Sequence, residues 1–401
     1  MSVRLFGRGH RGVGALIIFA LAIVLSGCGK TPPAEGFRYE LLPVADLPGW
    51  DDDSHAEALA TFRRSCPNLL AKPADQPLSG KPYAGFGSDW HSVCLEAGIT
   101  GPDNAKRFFE TSFDALALFD GEQSDGLFTG YFEPLLRGSR QPDHRYPYPL
   151  HGPPNDIVEV DLRAFGLDQG PRRLIGRSVG GRILPYFDRA QINAGALADR
   201  APVVAWVEDP IDRFFLHIQG SGKVLLDDGE TIRVGYAGQN GHSYRAIGRD
   251  LIEWGEVPAE EMSMQRIRSW LEAAPADRAE ALMTSNGSYI FFTELEGLDP
   301  DLGSLGASGV QLTPKRSLAV DPAYVPLGSP VWLRAADVPY PERDEEFSAL
   351  MVAQDTGGAI KGVVRGDVFW GAGELAAHVA GHMKSRGQFF LFVPKMARRL
   401  G

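Results

Sequence analysis

Two aspartates twelve positions apart, Asp355 and Asp367, stand where proton-transfer chemistry could be carried. Asp355 opens Asp355-Thr356-Gly357-Gly358, and Asp367 lies in Gly366-Asp367-Val368-Phe369-Trp370. A third, Asp321, follows Ser317-Leu318-Ala319-Val320 and precedes Pro322. The three apolar residues after Asp367 can desolvate its carboxyl, and desolvation raises a carboxyl pKa towards the value a general acid needs near neutral pH. Gly-Asp is also a common turn pair, so local sequence leaves a capping aspartate open beside a catalytic one. Asp355 has the same two readings, sugar or Asp367 contact against an Asx-turn holding the Gly-Gly loop; Asp321 reads as a turn cap.

The elements that must position these carboxylates have mixed texture. Residues 54–70 and 103–120 have helical apolar spacing, the second with Phe108, Phe109, Phe113, Leu116 and Leu118 on one stripe and Asp103 as N-cap. From Leu127 the chain turns to short β-rich runs: Leu127–Glu133, Val203–Val207, Phe214–Gln219, Lys223–Leu226 and Thr231–Tyr236, with Asp228-Gly229 as a hairpin turn. Ser243–Gly255 and Ser263–Ala274 read as helices. Strand texture resumes at Tyr289–Thr293, Leu318–Val320, Val331–Leu333, Ala349–Gln354, Gly362–Val364 and Phe389–Val393. Many short strands between Gly and Pro turns favour barrels over a doubly wound sheet, giving a mainly β fold with some helices.

The Asp…Asp-Thr-Gly-Gly…Gly-Asp series resembles the three-aspartate domain of cell-wall-active proteins. Gly130-Tyr131-Phe132-Glu133-Pro134, Gln219-Gly220-Ser221-Gly222, Tyr236–Gly241 and Tyr244-Arg245 narrow the resemblance to the membrane-bound lytic murein transglycosylase A family, from near Phe37 to about Pro394. It implies a double-psi β-barrel catalytic domain split between 37–130 and 293–397, with a second β-barrel, 131–292, inserted and forming the substrate groove. It implies a lytic transglycosylase cleaving the β-1,4 bond between N-acetylmuramic acid and N-acetylglucosamine of peptidoglycan. In that chemistry the muramic acid 6-hydroxyl is the nucleophile, so one acid/base suffices, unlike the carboxylate pair of most glycosidases. Asp367 occupies the family's catalytic position, and Asp355 is the second catalytic candidate, orienting the surroundings of Asp367 or binding sugar hydroxyls. Tyr131, Gln219, Gly220, Asn240 and Lys361 are the candidate substrate contacts; turn support is the competing reading for the first four and a solvated lysine for the last. Many relatives carry a small polar residue where Glu133 stands, so Glu133 is given no role. A non-catalytic, expansin-like polysaccharide-binding protein is the alternative, and a hydrolase using Asp355 as base is a third.

At the N-terminus, Arg4, Arg8 and Arg11 precede an apolar run, Val13–Leu25, shorter than the about 20 residues a membrane span needs and of signal-peptide length. Leu25-Ser26-Gly27-Cys28 matches the bacterial lipobox. The resemblance implies a signal peptide over 1–27, lipid on Cys28, a tether over 28–36, and, with Gly29 next, the periplasmic face of the outer membrane; several acyl chains anchor stably where one is marginal. Cys66 and Cys94 are an even pair in an oxidising compartment and read as a disulfide, with free thiols or half a metal site as rivals.

A net charge of −11 argues against nucleic acid as partner, since phosphate neutralisation drives that binding. The expected partners are glycan strands, the outer-membrane lipid and, open from sequence, wall-synthesis enzymes. Gly371-Ala372-Gly373-Glu374-Leu375-Ala376 fits a dinucleotide fingerprint but lacks the acidic residue about 20 positions on. Glu374, His378 and His382 share a helical face without an HExxH pattern. No metal or cofactor is expected.

Overall fold

The computed structural model describes residues 37–167 and 173–395. Cys28, the signal peptide and the tether lie outside the described residues. The first part holds β1 (Phe37–Leu42), α1 (His55–Leu70), α2 (Gly87–Ile99), α3 (Ala105–Ser112), β2 (Phe113–Asp120) and β3 (Gly126–Glu133). There follow β4 (Leu135–Ser139), β5 (Tyr148–His151), β6 (Ile157–Asp161), β7 (Arg173–Val179), β8 (Arg182–Pro185), α4 (Arg189–Asn193), β9 (Val203–Val207) and α5 (Pro210–Gln219). Next come β10 (Gly222–Leu226), β11 (Thr231–Gln239), α6 (Gly248–Glu253), α7 (Met264–Ala273), α8 (Ala276–Ser285) and β12 (Ile290–Glu294). The last part is β13 (Ser317–Val320), β14 (Pro330–Pro339), β15 (Asp344–Asp355), β16 (Arg365–Ala372), α9 (Glu374–His382) and β17 (Lys384–Pro394).

Strands β17, β14, β15, β13, β16 and β3 close on themselves, because β17 pairs with both β14 and β3. This closed six-stranded barrel mixes antiparallel pairs with two parallel ones, β13 with β15 and β16 with β3. The long β17 gives its Lys384–Gly387 half to β3 and its Phe390–Pro394 half to β2, which carries β1 outside the ring. Only β3 among the ring strands comes from the N-terminal part. A second six-stranded sheet, β12-β11-β10-β4-β9-β5, forms a nearly closed barrel from residues between β3 and β13, and β6-β7-β8 make a separate small sheet. The sheets change hands between Glu133 and Leu135, and again after Glu294.

Two elements differ from the sequence expectation. The helix predicted over 103–120 stops at Ser112, and Phe113–Asp120 is β2; Asp103 makes no cap, Asn104 preceding the helix instead. Residues 113–118 of β2 are all buried, so no polar alternation marks them as strand. Phe214–Gln219, expected as strand, belongs to α5. Asp209 caps this helix by accepting from the Ile211 and Asp212 amides at 2.6 and 3.1 Å, Pro210 opens it, and left-handed Gly220 ends it. Of the helix expected at Ser243–Gly255 only Gly248–Glu253 forms, and Gly362–Val364 is a bend before β16 rather than a strand.

Cys66 of α1 and Cys94 of α2 form a disulfide with Cα atoms 5.4 Å apart. It joins the two helices over a core containing Trp50, Phe62, Trp90, Phe109, Phe113 and Trp332. Arg316 ties the same helical layer to the barrel. Its guanidinium sits on the buried Asp53 carboxylate at 2.8 Å and on the Leu350 carbonyl at 3.1 Å, while the Leu350 amide donates to Asp53 at 2.9 Å.

Candidate active site

The strand order β15-β13-β16-β3 sets four residues in one row. Ala319 of β13 stands opposite Asp355 on one side and opposite Asp367 on the other, and Asp367 stands opposite Thr129 of β3. Strands lie about 4.8 Å apart, so two steps put the aspartate backbones about 10 Å apart. The register depends on an irregularity between β13 and β15: Leu318 faces Ala353, but Ala319 faces Asp355, leaving Gln354 as the extra residue. Gln354 turns inward and is fully buried. Its amide donates to the Thr61 carbonyl at 3.1 Å and the Ser65 hydroxyl at 2.9 Å, and its oxygen accepts from the Ser317 hydroxyl at 2.6 Å.

Asp367 accepts a 2.6 Å hydrogen bond from the Thr129 hydroxyl, which itself accepts from Arg365 at 2.9 Å. Burial pushes the Asp367 carboxyl up to about 6; Thr129 and Arg365 pull it down, and the Asp355 charge adds to the rise. Val368, Phe369 and Trp370, fully or almost fully buried, supply the apolar surroundings. Gly130 is needed where α9 packs onto β3, because a Cβ there would stand 2.7 Å from the Trp370 ring and 2.8 Å from Ala380 Cα.

Asp355 is held by three donors. The Ala307 and Thr356 amides reach one oxygen at 2.8 and 2.9 Å, and the Tyr131 hydroxyl reaches the other at 2.9 Å. Gly306 makes the Ala307 approach feasible, since a Cβ at 306 would lie 2.6 Å from the Gln354 carbonyl. Burial raises the Asp355 carboxyl and the three donors oppose it. Burial also raises the Tyr131 phenol well above its ordinary value, with the Asp355 charge next, so Tyr131 stays a donor. Asp321 accepts from the Ala323 amide at 3.1 Å and from Gly362 at 3.0 Å, pinning the loop that carries the chain from Asp355 to Asp367. Its part is the cap read from sequence, extended to a distant loop.

The remaining expected contacts separate. Lys361 is exposed on the pinned loop. Gln219 accepts from the Phe132 amide at 3.2 Å. Asn240 corrects the expectation of a sugar contact. It is fully buried; its amide donates to the Phe187 and Gly287 carbonyls at 2.9 and 2.8 Å, and its oxygen accepts from Tyr289 at 2.9 Å, leaving nothing for a ligand. Gly220 is half-buried, and its amide closes α5 on the Leu216 carbonyl at 2.8 Å. Glu133 is buried against Arg233 at 2.7 Å. Thr129 and Arg365 were not singled out from sequence; Thr129 shares a strand face with Tyr131 two positions on, and that parity was the available clue. Tyr244, from the inserted barrel, lies beside Gly358, where a Cβ would stand 3.9 Å from its own. Burial raises its phenol pKa, Arg189 and Arg249 lower it, and the Asp367 charge raises it, so a side chain of the insert stands beside the loop that joins Asp355 to Asp367.

Residues 127–293 match the family description "MltA specific insert domain", and 316–393 match "3D domain". The membrane-bound lytic murein transglycosylase A of Escherichia coli K12 is 35% identical over 95% of this chain and 96% of its own. The chain belongs to the membrane-bound lytic murein transglycosylase A family. Among solved family structures, the membrane-bound lytic murein transglycosylase of Agrobacterium tumefaciens superposes with a TM-score of 0.78 at 29% identity, covering 90% of this chain and 98% of that one. MltA from Neisseria gonorrhoeae gives 0.74 at 34% identity, over 90% and 94% of the two chains. E. coli MltA with bound chitohexaose gives 0.65 at 27% identity, over 90% and 96%.

Proposed function

We propose that this chain is a peptidoglycan lytic transglycosylase with Asp367 as its single acid/base. One observation carries the reading. Asp367 is half-buried with a pKa lifted to about 6, while Asp355 is held at both oxygens by three donors and is poorly placed to activate water. The protonated Asp367 gives its proton to the glycosidic oxygen as the bond to muramic acid C1 breaks. The resulting carboxylate then takes the proton of the muramic acid 6-hydroxyl as that oxygen closes on C1. The acid is regenerated, no water is consumed, and the product is a 1,6-anhydro end. Tyr131, Gln219 and Lys361 remain the substrate contacts on this reading, in a groove between the split catalytic barrel and the inserted barrel. The sugar-bound relative and the family names support a glycan substrate; no observation favours the expansin-like alternative.

Digestion of purified sacculi should release muropeptides ending in 1,6-anhydromuramic acid, identified by mass. Reducing muramic acid ends would move the chain to the hydrolase reading.

The pH profile follows from the sign of the Asp367 shift. A general acid works protonated, so kcat/KM should fall about tenfold per pH unit above pH about 6. Thr129→Val removes a bond that favours the carboxylate, so it should move this limb to higher pH; a limb that stays or moves down would contradict Asp367 as the acid. The same shift affects stability. A carboxyl raised in the fold stabilises most below its unfolded pKa, and that contribution is lost as pH rises from about 4 to about 6.

We further place the protein on the outer membrane through acylated Cys28, on the strength of Leu25-Ser26-Gly27-Cys28 and the membrane-bound relatives. Among the described residues no helix is long and apolar enough to cross a membrane. Fractionation should find the wild type with outer membranes; a freely soluble periplasmic protein would refute the anchor.

A further inference from the structure

A cavity of about 880 Å³ lies within the inserted region. It is enclosed by residues of β5, α4, β9, α5, α7 and α8, and neither Asp355, Asp367, Thr129, Tyr131 nor Tyr244 lines it. Two buried arginines do. Arg213 is 8% exposed, and among the described residues its one side-chain hydrogen bond runs to the Asn193 oxygen at 3.1 Å, with its guanidinium 5.3 Å from the Tyr148 ring centre. Arg189, 3% exposed, donates to the Asn286 and Ser288 carbonyls and sits 4.9 Å from the Phe214 ring centre. Among the described residues neither guanidinium has a carboxylate partner within ion-pair distance.

Buried charge is costly unless it is paired. The neighbours do not supply the missing anion. His217, buried beside both arginines, is held neutral, and burial with Arg213 nearby pulls His151 down to about 4. Asp209 lines the cavity but caps α5 with its carboxylate. An unpaired donor fork facing an open cavity is a receptor for a planar anion, and guanidinium matches carboxylate geometry. The lining adds a second requirement. Asp199 and Glu280 also line the cavity, are exposed, and form no ion pair among the described residues. A guanidinium inside and carboxylates nearer solvent suit a ligand carrying both a carboxylate and an ammonium.

We propose that this cavity binds the peptide stem of peptidoglycan, Arg213 taking a peptide carboxylate while Asp199 and Glu280 face its amine. The identity of this ligand rests on the wall-glycan reading above, because the peptide stem combines acidic groups with a free amine where the glycan offers only the lactyl carboxylate. Engagement here would hold a peptide-bearing strand by a point other than the bond being cut.

Calorimetric titration of the full-length protein tests this with three probes: the tetrapeptide L-alanyl-γ-D-glutamyl-meso-diaminopimelyl-D-alanine, N-acetylmuramic acid and neutral chitohexaose. Asn193→Asp sets a carboxylate against the Arg213 guanidinium without changing shape, and Arg213→Gln removes the charge. Both should weaken the tetrapeptide about 10- to 100-fold, the worth of a charge-assisted hydrogen bond, and leave chitohexaose binding unchanged. KM on peptide-bearing sacculi should rise in both, with turnover of peptide-free glycan unaltered. Tetrapeptide binding that is absent in the wild type, or unchanged in a folded Asn193→Asp protein, would overturn the proposal. Arg213-dependent binding of N-acetylmuramic acid without the tetrapeptide would overturn the peptide assignment in favour of the sugar carboxylate. Loss of chitohexaose binding and of anhydro products in the wild type, with the tetrapeptide still bound, would instead sink the transglycosylase reading and leave this site standing.

Discussion

Asp367→Asn should lose at least about 10²- to 10⁴-fold in turnover, the range general acid–base catalysis contributes. Asparagine keeps the size of the side chain and an oxygen that can still accept from the Thr129 hydroxyl, so the row across β15, β13, β16 and β3 should stand. What it lacks is a proton to give to the leaving oxygen and to recover from the 6-hydroxyl. Chitohexaose should therefore bind the variant about as well as the wild type, and the pH limb near 6 should vanish with the activity. Asp355→Asn is the informative contrast. It disturbs a carboxylate that accepts from Ala307, Thr356 and Tyr131, so its damage should appear as lower thermal stability and a smaller fall in rate. Near-normal turnover by Asp367→Asn, measured on sacculi as anhydro ends released, would overturn the assignment.

Arg316→Ala should destabilise the protein by about 3–5 kcal/mol, the cost of breaking a buried pair by removing one partner. The Arg316 and Asp53 side chains are 7% and 5% exposed, so among the described residues Asp53 would be left as a buried carboxylate with only the Leu350 amide to answer it. Glu57, which also pairs with Arg316 at 3.0 Å, is 65% exposed and adds little. The effect should appear as a lower denaturant midpoint at unchanged slope. Replacing both groups, Arg316→Met with Asp53→Asn, should recover much of the loss, since no charge is then stranded. A loss under about 1 kcal/mol in Arg316→Ala would show that the pair contributes no more than a surface ion pair. The location gives this functional weight: Arg316 immediately precedes β13, and β13 carries the strand position between Asp355 and Asp367.

Much of the candidate site was legible in one dimension. Asp367 announced itself by the apolar run after it, and Asp355 by the Gly-Gly turn after it, because desolvation and turn formation act between near neighbours in the chain. The mainly β texture was readable for the same reason, strand and turn preferences being local. Errors came where local pattern pointed the wrong way. Phe113–Asp120 continued a helical stripe and became a strand because β1 and β17 pair with both its edges and its alternate residues enter two cores, Leu116 and Leu118 one and Phe113, Ala115 and Ala117 the other. Phe214–Gln219 looked β-rich and became a helix because Asp209, Pro210 and Gly220 bracket it.

What only the tertiary structure decided is which residues share a row. The alignment of Asp355, Ala319, Asp367 and Thr129 joins strands up to 238 positions apart, and it holds only because Gln354 is an extra residue in β15. A one-residue slip in a strand sends every side chain to the opposite face, so composition and spacing could name the two carboxylates without saying that they share one face of the sheet. The same limit applied to Asn240, whose amide looked available on a turn and is taken up by the backbone of a distant loop, and to Arg213, whose missing partner is visible only once the walls around it are in place.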